Sequence, residues 1–268
     1  MKKPFIVFGT IVIAGASSWF WLSQEGVDSS LVESASQLLQ RDVNPLPDFQ
    51  QYADVKAKKQ AFFNYLQPII EASNQRISQD RRRIEEVNGS ITKTTLLDDM
   101  GASDRRFLLS MIQRYEVDSE LTPAQQVAAL LNRIDTVPVS LALTQAAMES
   151  AWGTSRFARE GNNLFGQWCY QRGCGIVPKR RGPDQIHEVA RFANVDAAVS
   201  SYMRNINSHR AYEGLRSARA TLRSTGQPVT GHQMAEHLLR YSQRGSAYVE
   251  ELQSMIRVNK LAVLDQPT

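Results

Sequence analysis

The sequence predicts an α+β fold that is mostly helical and contains one small β element, and three observations support this class. After residue 55, apolar residues recur at intervals of three and four positions in several stretches, which is the pattern of amphipathic helices. Residues 165–192 lack that period and contain short apolar runs separated by Gly and Pro, which predicts an irregular hairpin. Hydrophobic residues make up 42% and charged residues 22% of the 268 residues, as in an ordinary globular protein.

The first residues have the pattern of an export signal. Two lysines precede nineteen uncharged residues, Pro4 to Leu22, which as a helix would span roughly 28 Å, close to the thickness of a bilayer core. Ala14 and Ala16 offer a small-residue cleavage site, but the apolar run continues past them and favours an uncleaved anchor. We therefore predict a signal anchor or signal peptide over residues 1–23. The rest of the chain would be periplasmic, held at the inner membrane unless the signal is cleaved and the protein secreted.

The chain has two cysteines, Cys169 and Cys174. In an oxidising compartment such a close pair predicts a disulfide, which stabilises by about 2 kcal/mol in a loop-entropy treatment because the loop is short. A metal site is the alternative, but no neighbouring histidine supplies further ligands. We therefore predict a disulfide and no metal.

Helical patterns dominate the first half of the chain after the export signal. The first helix is predicted from about Val55 to Val87, where Pro68 indicates a kink or the start of a second helix. Another helix is expected around residues 107–112. Thr122 is the predicted N-cap of the next helix, with Pro123 in its first turn.

A central helix is predicted to start at residues 137–140. Ala146 and Ala147 belong to a small face that allows close packing, Glu149 lies in the last turn, and Gly153 ends the helix. Later helices are predicted from Asp196 (as N-cap) to Asn207, from about Arg216 to Arg223, from Thr230 to Arg240, and from Ser246 onward.

Several function classes lack their required residues. The net charge of +4 is mildly basic, but no nucleic-acid-binding motif accompanies it, so we predict no nucleic-acid partner. Among the four histidines, His232 and His237 are five positions apart, whereas a metalloprotease helix needs a spacing of four. No nucleophile elbow or activated-cysteine motif occurs. We therefore predict neither a metal nor a cofactor.

Glu149 is the candidate catalytic acid. It closes an alanine-rich apolar helix beside Met148 and Trp152, so we expect the carboxyl group to be partly buried. Burial raises the pKa of a carboxyl group and favours the protonated form that a general acid needs near neutral pH. Cleavage of a glycosidic bond requires such an acid, and nearby aromatic and Asn side chains suit sugar binding.

Three sequence blocks follow one another between residues 137 and 260. The first is Glu149-Ser150-Ala151-Trp152-Gly153, then Ser155, then Asn163-Leu164-Phe165-Gly166. The second is YMRNINSHRAYEGLR at 202–216, which contains Tyr212, and the third is YSQRGSAYVEEL at 241–252, which contains Tyr241 and Tyr248. Together these blocks resemble the catalytic helix, the Tyr motif and the paired-tyrosine segment of the bacterial glucosaminidases of glycoside hydrolase family 73.

The resemblance implies a lysozyme-like, two-lobed domain with a small β-hairpin, acting as a β-N-acetylglucosaminidase on the glycan strands of peptidoglycan. Glu149 would be the general acid, and Tyr212 would orient the substrate. The sugar subsites would include Ser150, Trp152, Asn163, Phe165, Tyr241 and Tyr248. The predicted segments are then a signal anchor or signal peptide (1–23), a linker (24–48), a helical N-terminal region (49–130) and a glucosaminidase domain (131–264).

The second carboxylate is where the chain departs from the family. The hairpin offers only Asp184 and Glu188, neither inside a recognisable motif, and Glu188 is the candidate. Attack by the substrate's own acetamide needs no second carboxylate, and neither does cyclisation to an anhydro sugar, the reaction of a lytic transglycosylase. A catalytically weak, peptidoglycan-binding scaffold is the alternative from another class.

Overall fold

The computed structural model describes residues 45–92, 95–179, 181–182 and 184–265. The predicted export signal at 1–23 and most of the predicted linker at 24–48 lie outside these residues. Among the residues that are described, no helix is both long enough and apolar enough to cross a membrane.

The described chain is mostly helical and carries one small antiparallel sheet, which confirms the predicted α+β class and is consistent with a lysozyme-like domain. The α-helices are α1 (Val55–Ser90), α2 (Ala102–Arg114), α3 (Pro123–Arg133), α4 (Val139–Glu149), α5 (Arg156–Gly161), α6 (Val195–Ser208), α7 (Glu213–Ser224), α8 (Gly231–Ala235) and α9 (Ser246–Val258). The strands are β1 (Trp168–Cys169), β2 (Gly175–Ile176) and β3 (Glu188–Ala190). Short 3₁₀ helices cover Phe49–Gln51, Leu97–Asp99, Arg210–Tyr212 and Leu261–Asp265.

Helix α1 continues past Pro68, so no second helix begins there. Proline in a helix interior removes one backbone hydrogen bond, but here the apolar face of α1 is buried on both sides of it, for example at Leu66 and Ile70. Tertiary packing therefore outweighs the local penalty. At its N-terminus, the Asp54 carboxylate caps the helix by accepting the Ala57 N–H at 2.7 Å.

Helix α4 is the central element. Nine of its eleven residues are buried, and it packs against α1, α8, α9 and the 3₁₀ helix at 261–265. Its alanine face allows these close approaches because Ala adds little volume beyond the backbone. A helix buried on nearly all sides is expected to be mostly apolar, and seven of the eleven residues of α4 are apolar.

The first turn of α4 is capped from a distant part of the chain. Pro138 precedes the helix and gives no side-chain cap. Instead, the Asp265 carboxylate accepts the Ser140 N–H (2.9 Å), the Ser140 hydroxyl (2.5 Å) and the Gly231 N–H (2.7 Å). A Cβ atom at Gly231 would lie 2.1 Å from Ser140 Oγ, so only glycine permits this approach. The chain's C-terminal segment therefore fixes the start of the helix that ends at Glu149.

The sheet has the strand order β1-β3-β2, with both pairs antiparallel. Pairing of β2 with β3 confirms the predicted hairpin, whereas β1 was not predicted because two residues are too short to show a period. Cys169 and Cys174 are joined by a disulfide, and no described cysteine is free.

Several predicted helix boundaries were wrong by a few residues. Asn194, rather than Asp196, caps α6, since the Asn194 side chain accepts the Ala197 N–H at 2.8 Å. Helix α7 begins three residues earlier than predicted, and α8 ends at Ala235, well before the predicted Arg240. The Thr122 cap of α3 and the start of the last α-helix at Ser246 are confirmed.

Candidate active site

Glu149 is the last residue of α4 and is half-buried. The helix ends there because Ser150 turns the chain: its hydroxyl donates to the Ala146 carbonyl (2.6 Å), and the Gly153 N–H donates to Ser150 Oγ (2.8 Å). Ser150 itself is fully buried. Its hydroxyl is therefore occupied in shaping the turn after Glu149, and these contacts favour a structural role over the predicted sugar contact.

The turn after Glu149 is held in an unusual backbone conformation. Ala151, Trp152 and Gly153 all have positive φ, at 51°, 61° and 76°, a region that residues with a Cβ atom enter only at a cost. A Cβ atom at Gly153 would lie 2.6 Å from the Phe49 ring. The N-terminal 3₁₀ helix therefore packs directly on the turn and requires glycine there.

Trp152 faces the long helix α1. Its ring lies edge-on to Phe62 and Phe63, with centroid distances of 5.8 and 5.2 Å, and the Lys59 ammonium is 4.9 Å from its centroid. These contacts anchor the turn to α1. They favour packing over the sugar-binding role predicted for Trp152.

A chain of hydrogen bonds ends on the Glu149 carboxylate. The Tyr202 hydroxyl donates to Gln145 Oε1 (2.6 Å), Gln145 Nε2 donates to the Tyr248 hydroxyl (3.1 Å), and that hydroxyl donates to Glu149 Oε1 (2.9 Å). Gln145 lies one turn before Glu149 on the same face of α4. The chain fixes the carboxylate through three side chains that are themselves buried, so its orientation is set before any ligand arrives.

The surroundings raise the pKa of the Glu149 carboxyl. Burial is the largest cause; the hydrogen bond from Tyr248 and the positive charge of Arg244 oppose it, and the negative charge of Glu251 adds to it. Arg244 and Glu251 form an ion pair with an N–O distance of 2.5 Å, with both side chains about half exposed. A carboxyl group that is half-buried and holds its proton more tightly than usual has the property required of a general acid.

Tyrosines surround the carboxylate. Burial and the nearby Glu149 charge raise the pKa of Tyr212 to about 12, so its hydroxyl is protonated at neutral pH. Tyr241 stacks on Tyr248 with the ring centroids 5.5 Å apart, lies 6.2 Å from Tyr212, and donates to the Phe165 carbonyl at 2.9 Å. The three tyrosines named from the sequence therefore lie together around Glu149.

Asn163 is almost fully buried, with 1% of its surface exposed. Its Nδ2 donates to the carbonyls of Gln167 (2.9 Å) and Ala190 (2.8 Å), and its Oδ1 accepts the N–H groups of Phe165 (3.3 Å) and Gln167 (3.1 Å). The amide thus ties the loop after α5 to strand β3. With both amide atoms occupied twice, the side chain is suited to holding the loop rather than to binding sugar as predicted.

The same loop brings a glycine against the Glu149 carboxylate. The Phe165 ring stacks on the Tyr202 ring at 4.0 Å and is buried, which favours packing over its predicted sugar contact. Gly166 has φ +64°, and a Cβ atom there would lie 3.5 Å from Glu149 Oε2. Glycine at this position keeps one carboxylate oxygen uncovered.

Glu188 is held inside the hairpin. Its Oε1 accepts the Gly173 N–H (3.0 Å) and its Oε2 accepts the Gly175 N–H (2.8 Å), and these two backbone hydrogen bonds lower the pKa of its carboxyl. The residue is 4% exposed, and its charge is not among those that shift the pKa of Glu149 in the described part of the chain. Both carboxylate oxygens therefore stabilise the disulfide-closed turn, an arrangement that favours a structural role over that of a second catalytic carboxylate.

One group of metal-ligand types occurs among the described residues. Ligand atoms of Cys169, Cys174 and Glu188 lie within 4.8 Å of one another, but the two sulfur atoms are bonded to each other, whereas a metal needs thiolates. The residues do not fit a metal centre.

Sequence reasoning missed Gln145, Tyr202 and Gly166 as site residues. Gln145 had one local signal, since it is a polar residue one turn before Glu149 in a mostly apolar helix. Tyr202 and Gly166 lie within the sequence blocks quoted above, but their proximity to the carboxylate depends on how the chain folds back.

Comparison with known proteins places the chain in a family. Residues 123–261 match the Glucosaminidase family model, described as mannosyl-glycoprotein endo-β-N-acetylglucosaminidase. The chain is 34% identical over 216 residues to Protein bax of Escherichia coli (strain K12), covering 80% of this chain and 74% of that protein. No solved structure matches the chain. The resemblance to the glucosaminidase family that was inferred from three sequence blocks is confirmed.

Proposed function

The chain belongs to the mannosyl-glycoprotein endo-β-N-acetylglucosaminidase family, and we propose that it hydrolyses β-1,4 linkages in the glycan of peptidoglycan as a β-N-acetylglucosaminidase. The observation that carries the proposal is the half-buried Glu149 carboxyl, with its raised pKa and its fixed hydrogen bond from Tyr248. Tyr212, Tyr241 and Tyr248 lie around this carboxyl group, and tyrosine hydroxyl groups can form hydrogen bonds with sugar hydroxyls.

In the first step, protonated Glu149 donates its proton to the glycosidic oxygen as the bond from C1 to that oxygen breaks. The raised pKa favours the protonated form at the start of the reaction. Tyr248 keeps the carboxyl group in place, and its hydrogen bond becomes stronger as the carboxylate forms, since charge-assisted bonds are stronger than neutral ones. The developing negative charge on Glu149 is therefore stabilised when the leaving group departs.

We propose that the substrate's acetamide oxygen supplies the nucleophile. The other candidate carboxylate, Glu188, is fully engaged by backbone N–H groups. The acetamide oxygen would bond to C1 as the glycosidic bond breaks, and Tyr212, protonated beside Glu149, would position the acetamide. Water then attacks C1, the bond from the acetamide oxygen to C1 breaks, and Glu149 takes the water's proton. The net reaction is hydrolysis with retained configuration.

Digestion of purified peptidoglycan by the full-length chain tests the proposal. Glu149→Gln should lower turnover by more than about 100-fold, the usual contribution of a general acid. Glu160→Gln is the matched control, since Glu160 is an exposed glutamate outside the site. Products are reduced with borohydride and identified by mass spectrometry, and reduced N-acetylglucosamine ends are expected.

The other products have distinct meanings. Reduced muramic ends would identify a muramidase, and anhydro ends a lytic transglycosylase. No products from the wild-type chain, with binding retained, would support the scaffold alternative. Glu188→Gln should reduce the stability of the fold with little effect on the chemical step. A loss of turnover as large as that of Glu149→Gln would show that Glu188 takes part in the mechanism.

We also propose export to the periplasm, where this substrate lies. The support is the pattern of residues 1–23 together with the Cys169–Cys174 disulfide, which persists in oxidising compartments. Fractionation of cells that produce the full-length chain tests this, and recovery of the protein in the cytoplasm with free thiols would contradict it.

A further inference from the structure

A polar groove of about 230 Å³ lies beside the candidate active site. Pockets that enclose drug-sized ligands usually measure about 300–1,000 Å³, so this groove fits a smaller group, on the scale of one amino-acid residue. Its lining includes Glu116, Gln167, Arg204, Asn205, Ser208 and His209.

Two sides of the groove adjoin the surroundings of the catalytic carboxylate. Gln167 follows Gly166 in the chain, and Gly166 faces Glu149 Oε2. On the other side, the His209 ring lies 5.9 Å from the Tyr212 ring. The groove and the surroundings of Glu149 therefore share two chain segments, so a substituent of a glycan bound at Glu149 has a polar site nearby.

The groove contains polar groups that the fold does not use. Arg204 and Glu116 both line it, yet neither side chain forms an ion pair or hydrogen bond with the other or with any other described residue. Ser208 is 7% exposed, and its hydroxyl has no partner in the described part of the chain. His209 Nδ1 accepts the Ala211 N–H at 3.2 Å, which leaves Nε2 as a donor.

We propose that this groove binds a zwitterionic amino-acid group of a peptidoglycan peptide stem, with Arg204 on its carboxylate and Glu116 on its ammonium group. Charge-assisted hydrogen bonds of this kind are roughly twice as strong as neutral ones. A sugar ring carries neither charge and would leave the two protein charges partly desolvated without partners, which is unfavourable. The inference rests on the proposed function and adds to it a preference for glycan that retains its stems.

The test compares two soluble tetrasaccharide fragments of peptidoglycan, one with tetrapeptide stems and one without. For the full-length chain, we expect kcat/KM to be at least about tenfold higher for the fragment with stems, equivalent to about 1.4 kcal/mol. Arg204→Gln and Glu116→Gln should each reduce the ratio of the two values toward one. Arg106→Gln is the matched control, because it removes the same charge from an exposed arginine outside the groove and should leave the ratio unchanged.

Each result separates this inference from the proposed function. If the wild-type chain has equal kcat/KM values for the two fragments, or if Arg204→Gln leaves their ratio unchanged, the groove does not bind the stem. Either result would leave the proposed glucosaminidase activity unaffected. If the wild-type chain cleaves neither fragment, the proposed function is wrong. Calorimetric titration with the free tetrapeptide then tests whether the groove binds the peptide stem. Binding that is lost in Arg204→Gln would support it, and no binding by the wild-type chain would refute it.

Discussion

Replacing Asn163 by alanine tests whether this side chain supports the fold or binds sugar. The substitution removes four hydrogen bonds between the amide and the backbone of Phe165, Gln167 and Ala190. At about 1 kcal/mol for each bond, the free energy of unfolding should fall by about 4 kcal/mol. Water cannot readily replace the lost partners, because Asn163 is 1% exposed.

The assay is urea unfolding of the full-length chain, with thermal unfolding as a second measurement. We expect a lower urea midpoint with an unchanged slope and a fall in Tm of about 8–16 °C for a domain of this size. Asn88→Ala is the matched control, since Asn88 is an exposed asparagine without a side-chain hydrogen bond among the described residues, and it should change stability by less than about 0.5 kcal/mol. If Asn163→Ala leaves stability within about 1 kcal/mol but raises KM, the side chain binds substrate and the structural argument is wrong.

Three other substitutions test the arrangement around the carboxyl group. Glu149→Gln should raise Tm at pH 7, since the raised pKa of the native carboxyl means that its ionised form opposes folding. The difference in Tm between the variant and the wild-type chain should shrink as pH falls through the pKa of the native carboxyl. A lower Tm for the variant at pH 7 would contradict this. Tyr248→Phe removes the hydrogen bond that lowers the pKa of Glu149, so the alkaline limb of the pH profile of kcat/KM should move to higher pH. An alkaline limb at the same pH as in the wild-type chain would mean that this hydrogen bond does not affect the pKa of Glu149. Gly153→Ala should destabilise the fold by about 1–3 kcal/mol, because the residue has φ +76° and a Cβ atom would lie 2.6 Å from the Phe49 ring. Urea unfolding measures this change. A free energy of unfolding equal to that of the wild-type chain would show that the turn can shift.

The parts of the site that depend on local sequence were predictable. Glu149 at a helix end, with an apolar run before it and a Gly-rich loop after it, follows from helix period and capping rules. Thr122 and Ser246 at helix starts follow from the same rules. The disulfide between Cys169 and Cys174 needed only the count and spacing of the cysteines.

Roles that depend on long-range contacts were not predictable from one sequence. Gln145 meets Tyr202 and Tyr248 at sequence separations of 57 and 103 residues, and no local pattern indicates such pairs. Asn163 was predicted to bind sugar, but whether its amide faces a ligand or the backbone depends on where β3 lies. Residue type alone could not distinguish these two possibilities, because the same donor and acceptor groups serve both.

The N-terminal helical region contributes to the geometry around Glu149, although the family match begins only at residue 123. Phe49, Phe62 and Phe63 are each at most 7% exposed, and Phe62 and Phe63 contact Trp152 in the turn directly after Glu149. Burying a Phe side chain contributes about 1.5–3 kcal/mol, so three rings supply about 5–9 kcal/mol, within the range of a whole domain's net stability. That contribution is comparable with or larger than the total penalty of about 2–6 kcal/mol expected for the two non-glycine residues at positive φ in the turn, Ala151 and Trp152. The strained turn directly after Glu149 is therefore stabilised by residues outside the matched region, and residues 49–90 are needed to position Glu149.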